Sequence, residues 1–201
     1  MAQAPLTENR LRQAGLGSFF RPRQLEGLGI DYRRLQTLVR EGAVERVARG
    51  LYRLVAVEPT EHYSLAAVCA QVPHAVICLL SALRVHGLGT RVASEVWVAI
   101  PHKARAPRIQ GTGVRLMRFS ADALEYGVVR TAFEGVPARV TNPARTVVDC
   151  FRFERLVGRE ASVEALRDAL RQKKVTTDAL YRTLAVLPSR RLHAVLGAMT
   201  P

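Results

Sequence analysis

The sequence predicts an α+β protein: an N-terminal winged helix-turn-helix, followed by a mixed domain with a small β-sheet and C-terminal helices. Three observations predict it. Short helical segments within the first 42 residues lead directly into a basic, alternating hairpin. Four strand-like runs then lie between residues 96 and 140. From residue 142 onward, apolar side chains recur at helical spacing.

Leu6–Ala14 reads as a short helix ended by Gly15 or Gly17. Pro22–Leu28 is a second, with proline tolerated in the opening turn. Gly29 breaks the chain and Asp31 caps a third helix. There Leu35, Leu38 and Val39 form a core-facing stripe, with Arg33, Gln36, Thr37 and Arg40 on the other side. Gly42 supplies the stop. Val44–Val47 and Leu51–Val55 alternate as a hairpin around Ala48-Arg49-Gly50.

Pro59 marks a boundary near Val57–Thr60, giving domains 1–57 and 58–201. Glu61–Ala70 and Leu79–His86 read as helices. Val96–Ile100, Val114–Phe119, Val128–Phe133 and Val136–Val140 read as strands, the last two joined by Glu134-Gly135. Asn142-Pro143 opens a helix. Its buried stripe is Ala144, Val147, Val148 and Phe151, while Arg145, Asp149 and Arg152 line the opposite face. Three further helices follow from Val163/Leu166/Leu170, Leu180/Leu184/Leu187 and Leu192/Val195/Leu196/Met199.

The 201 residues are 48% hydrophobic, enough for a sizeable core. The longest apolar stretch, Leu65 to Leu83, is broken by Gln71, Pro73 and His74, and no secretory leader is visible. Cys69, Cys78 and Cys150 are an odd, widely spaced set, which points to buried thiols in a cytoplasmic protein. Thirty basic residues against 17 acidic ones give +13, which favours an anionic partner, nucleic acid before membrane. Residues 1–55 carry ten arginines and five acids, a net of +5, so the excess is shared with the rest of the chain.

In a helix-turn-helix the third helix enters the major groove. Arg33, Gln36, Thr37 and Arg40 recur at i, i+3, i+4, i+7 and present one reading face. Arginine there donates two bonds to guanine, and glutamine pairs with adenine. Arg34 and Tyr32 lie at the edges, nearer the backbone. Arg21 and Arg23 open the second helix, where orphan N–H groups favour phosphate. Arg46, Arg49 and Arg53 place positive charge on the wing. Arginines on one helix alone more often mark a solvated face; their coincidence with a basic hairpin and a helix-turn-helix order points to DNA. A second basic stretch, Lys103, Arg105, Arg108, Arg115 and Arg118, has no acid between Glu95 and Asp122. It is either an extension of that footprint, a dock for an acidic or RNA-associated partner, or a solvated loop.

Enzyme signatures are weak. Ser81 and His86 lack an orienting acid. The five histidines have no metal-binding spacing, and no GxxxxGK loop occurs. Asp149 lies four residues after Arg145, a structural ion bridge when exposed. No lysine stands two positions after an acid, as a metal-dependent nuclease would use. No catalytic residue, metal or cofactor is therefore expected.

Four segments in order resemble the AbiEi antitoxins of bacterial abortive-infection (type IV) toxin–antitoxin systems. They are FRPRQLEGLGIDYRRLQTLVREGAVERVARGLYRL (20–54), VPHAVICLLSALRVHGL (72–88) with the VWVAIP strand, NPARTVVDCFRF (142–153), and VEALRDALRQKKVT (163–176). The resemblance implies a regulator that binds inverted repeats in its own promoter, represses its operon, and counteracts a co-encoded nucleotidyltransferase-like toxin in phage defence. It implies no cofactor. Two alternatives stay open: a winged-helix transcription factor with a ligand-sensing or dimerising domain, and a DNA-targeted nuclease. Without a heptad seam, a monomer that pairs on inverted repeats is expected.

Overall fold

Thr7 starts the first helix because its hydroxyl accepts the Arg10 backbone N–H at 3.3 Å, satisfying one of the orphan donors of a helix start. The computed structural model describes residues 5–199; the expected domain ends, 1–4 and 200–201, lie outside the described residues. Helix α1 (Glu8–Gln13) buries Leu11. Strand β1 (Phe19–Phe20) follows, and its two buried rings leave no alternation for a sequence reading to find. Helix α2 (Pro22–Leu25) opens on proline, with the Arg21 backbone N–H donating to Gln24 Oε1 at 2.7 Å. It runs into a 3-10 turn, Glu26–Leu28, which Gly29 ends in the left-handed region.

Helix α3 (Tyr32–Arg40) is capped by Asp31, whose Oδ1 accepts the Arg34 N–H at 2.7 Å. Strands β2 (Val44–Ala48) and β3 (Leu51–Leu54) form the expected antiparallel hairpin, with Val44 opposite Leu54 and Glu45 opposite Arg53. With β1 they make a three-stranded sheet in the order β1-β3-β2. Leu11, Phe20, Leu25, Leu35, Leu38 and Leu54 meet in one core. Each buried side chain of this size contributes about 1.5–3 kcal/mol. Helix α4 (Tyr63–Gln71) sets its first ring 5.3 Å from that of Phe19.

The first compact unit extends through His74 and also takes in residues 107–113 and 131–138. Side chains tie those segments in. Gln71 Nε2 donates to the Gln110 carbonyl at 3.1 Å, and the Gln110 N–H returns a bond to Gln71 Oε1 at 2.9 Å. Glu134 Oε1 accepts both the N–H and the hydroxyl of Thr60 at 2.8 Å. The Ser18 N–H donates to the Glu134 carbonyl at 2.8 Å, and a Cβ on Gly17 would stand 2.5 Å from the Gly135 carbonyl carbon. Only glycine at 17 permits that approach.

The second unit holds β4 (Val76–Ile77), α5 (Leu79–His86), β5 (Val96–Pro101), β6 (Val114–Phe119) and α6 (Ala121–Glu125). Strands β7 (Val128–Phe133) and β8 (Val136–Thr141), of which only residues 128–130 and 139–141 fall in the second unit, complete a five-stranded sheet in the order β6-β5-β4-β8-β7. Strand β4 runs antiparallel to β5 and parallel to β8, and β5 is parallel to β6, so the sheet is mixed. Helices α7 (Pro143–Arg152), α8 (Glu154–Val157), α9 (Arg159–Arg171), α10 (Thr177–Val186) and α11 (Arg190–Met199) follow. Asn142 caps α7 by accepting the Arg145 N–H at 2.9 Å, with Pro143 at the first position. Trp97, Val148, Phe151, Leu166, Leu180 and Leu192 are among its core residues.

The polar side of α7 differs from the expected solvent-facing one. Arg145 and Asp149 do not line a solvent face; both are wholly buried. Arg145 Nε donates to Asp149 Oδ2 at 2.6 Å and Nη1 to the Tyr126 carbonyl at 2.7 Å, with the guanidinium 5.4 Å from the Phe119 ring centroid. The loop at Tyr126 and the end of β6 close over what the helical pattern alone presents as an outer face.

Candidate nucleic-acid interface

Burying Leu35 and Leu38 leaves Arg33 and Arg40 of α3 exposed, with Gln36 and Thr37 half-buried. Thr37 Oγ1 donates to the Arg33 carbonyl at 3.2 Å and accepts from Arg40 Nη2 at 3.2 Å. Arg34 is half-buried and sits 3.6 Å from Glu41, so part of its charge is already balanced. Tyr32, 62% exposed, stands at the helix start.

On the hairpin, Arg49 occupies the turn and Arg46 the outer side of β2; both are exposed. Arg46 Nε reaches back to the Ala48 carbonyl at 3.4 Å. Ahead of α2, Arg21 Nη2 donates to the Ala70 carbonyl at 3.0 Å, while Arg23 is exposed. Arg23, Arg33 and Arg49 have no side-chain partner among the described residues, which leaves their full donor capacity to a ligand.

Arg53 does not belong to this surface, contrary to expectation. It is 7% exposed. Its Nη1 meets Glu45 Oε1 at 3.2 Å, Nη2 donates to the Val57 carbonyl, and its guanidinium lies 5.0 Å from the Tyr63 ring centroid. The hairpin register shows only one part of this role, the cross-strand pairing of Glu45 with Arg53. Arg53→Met is therefore expected to lower stability by about 1–3 kcal/mol, because internal bonds are lost while half-exposed Glu45 rehydrates. Urea unfolding measures this, and the salt dependence of DNA binding should stay that of the wild type.

Two members of the second basic stretch have partners of their own. Arg115 pairs with Glu95 at 3.3 Å and lies 4.8 Å from the Trp97 ring centroid. Arg118 Nη1 is spent on the carbonyls of Pro101, His102 and Ala104, bracing the loop after β5. Lys103, Arg105 and Arg108 remain exposed, the first two in the second unit and Arg108 in the first.

The residues weighed for catalysis have other partners. Ser81 Oγ accepts the Trp97 N–H at 2.8 Å, and His86 Nε2 faces the Thr141 carbonyl at 2.6 Å, so the two do not form a nucleophile–base pair. Burial is the main cause lowering the His86 pKa, with Lys174 adding to it. Asp149 is sealed from solvent. All three cysteines are buried thiols, and burial pushes Cys69 up to about 12. Among the described residues no cluster of His, Cys, Asp or Glu is arranged to hold a metal, and no helix is long and apolar enough to cross a membrane.

The family model of the AbiEi antitoxin transcriptional regulators matches residues 9–55, the stretch from α1 through β3. The AbiEi match therefore contains α3, the β2–β3 hairpin and every free arginine singled out above except Lys103's neighbours in the later loop. Over a longer span the chain is similar in fold to the RV2827C protein from Mycobacterium tuberculosis, known from its crystal structure. That likeness has a TM-score of 0.56 at 15% identity and covers 88% of this chain and 69% of that one. No curated protein matches the sequence.

Proposed function

We propose that residues 1–57 act as a winged helix-turn-helix, with α3 in the major groove of duplex DNA and the β2–β3 hairpin as a wing on the backbone. The observation that carries this is the set of exposed arginines on α3 and the hairpin turn, inside the segment that matches a family of regulators. Arg33 and Arg40 are seven residues apart, roughly 10 Å along the helix, or about three base pairs. In this reading the protein is a cytoplasmic autorepressor that binds inverted repeats in its own promoter as a pair of monomers. Residues 58–201 then oppose a co-encoded nucleotidyltransferase-like toxin, without catalysis of their own.

The test uses the full chain and a duplex from the promoter upstream of its reading frame. Binding read by fluorescence anisotropy should weaken steeply with salt, with a log–log slope of about −4 to −6, since each released phosphate counterion contributes about −0.9. A slope near zero defeats the DNA reading. For the second activity, the Arg33→Ala/Arg40→Ala double variant is co-expressed with the neighbouring nucleotidyltransferase-like gene. Restored growth supports protection independent of DNA binding; continued toxicity contradicts it.

A further inference from the structure

We infer that Thr37 is a positioning residue: it holds the Arg40 guanidinium ready for a base edge and does not itself contact DNA. This rests on the DNA-binding reading above. A threonine hydroxyl has one proton and two lone pairs. Here the proton goes back to the Arg33 carbonyl, four residues earlier, and a lone pair takes Arg40 Nη2. Both bonds lie within α3, so the only proton the hydroxyl could donate to a base, and one of its two lone pairs, are already committed. The half-buried setting of Thr37 fits that inward role.

Arg40 gains from the arrangement. It is exposed and makes no ion pair among the described residues, while Glu41 pairs with Arg34. Its charge is therefore intact while its long side chain is held at one nitrogen. An arginine side chain carries substantial rotamer freedom, and fixing it before binding removes part of that loss from the complex. Nη1 and the remaining Nη2 proton stay available for the two-bond contact with guanine. Arg33 has no such anchor. Discrimination at the Arg40 base pair thus depends on residue 37, and discrimination at the Arg33 base pair does not.

The experiment selects duplexes from a randomised pool with the full-length wild type, Arg33→Ala and Arg40→Ala, which assigns one base pair to each arginine. Thr37→Val is then measured on single-base variants of the selected duplex. Valine copies the shape of threonine and has nearly the same helix propensity, so only the hydroxyl is lost. Discrimination at the Arg40 base pair should fall by about 3- to 10-fold, a part of what a good bidentate contact supplies. The Arg33 preference and the salt slope should not move, because no cation is removed. Thr37→Ser, which keeps the hydroxyl, should restore discrimination, and Thr37→Ala should repeat the loss with a different side-chain volume.

Loss at a base pair distinct from that of Arg40 would show Thr37 reading DNA itself and overturn the inference. So would an undisturbed Arg40 preference in both Thr37→Val and Thr37→Ala. In either case the wild type still discriminates between duplexes and the DNA-binding reading stands. A wild type with neither base preference nor salt dependence overturns both.

Discussion

Asp149→Ala is expected to lower unfolding free energy by about 3–5 kcal/mol, the range for breaking a buried ion pair from one side. The size follows from what is left behind. Arg145 is wholly buried, and its Nη2 has no hydrogen-bond partner even in the intact protein. Asp149 also accepts from Arg152 Nη1 at 2.9 Å, so one carboxylate balances two guanidiniums. Burial pushes the Asp149 carboxyl up and the two arginines pull it down, with burial the larger cause. Alanine removes the counter-charge and leaves Arg145 with the Tyr126 carbonyl and the Phe119 ring. Asp149→Asn keeps a hydrogen-bond acceptor and should lose less. The double replacement Arg145→Met/Asp149→Leu should recover most of the stability, since apolar side chains of similar volume replace buried pairs at little or no net penalty. Urea midpoints and thermal melts measure all three. A loss within about 0.5 kcal/mol for Asp149→Ala, the size of an exposed helical pair, would contradict a dry site.

Helix α7 shows how far local chemistry reaches. Asn142, Pro143 and the stripe at Val147, Val148 and Phe151 locate it in the sequence because capping and helical periodicity act within a few residues. The partners of its polar face were not legible, since Tyr126 and Phe119 arrive from other elements. Strands β1 and β4 were missed for a related reason: two residues cannot show a period, and each exists through its pairing with a distant strand. Arg33, Arg40 and Arg49 could be placed on the open side because α3 and the hairpin are short-range structures. Arg53 could not, because its burial depends on Val57 and Tyr63 as well as on Glu45 across the ladder. The same holds for the first unit beyond residue 57, which is joined through Gln110 and Glu134.

Arg33→Ala and Arg49→Ala are expected to weaken DNA binding in two distinguishable ways. Both side chains are exposed and make no internal bond among the described residues, so either substitution should change stability by no more than about 0.5 kcal/mol. Binding losses then report on DNA contacts alone. Arg33 lies in the first turn of α3, the part of a recognition helix that meets base edges. Its loss should remove about 1–3 kcal/mol at one base pair, or about 5- to 150-fold, and leave that position indifferent to sequence. Arg49 lies in a hairpin turn, where the reach is to phosphate. Its loss should weaken specific and unrelated duplexes alike and make the salt slope shallower by about 0.9. Anisotropy on a selected and a scrambled duplex at several salt concentrations separates the two. If Arg49→Ala relaxed a base preference while Arg33→Ala weakened every duplex equally, the hairpin would be the reading element, and α3 would lie along the backbone.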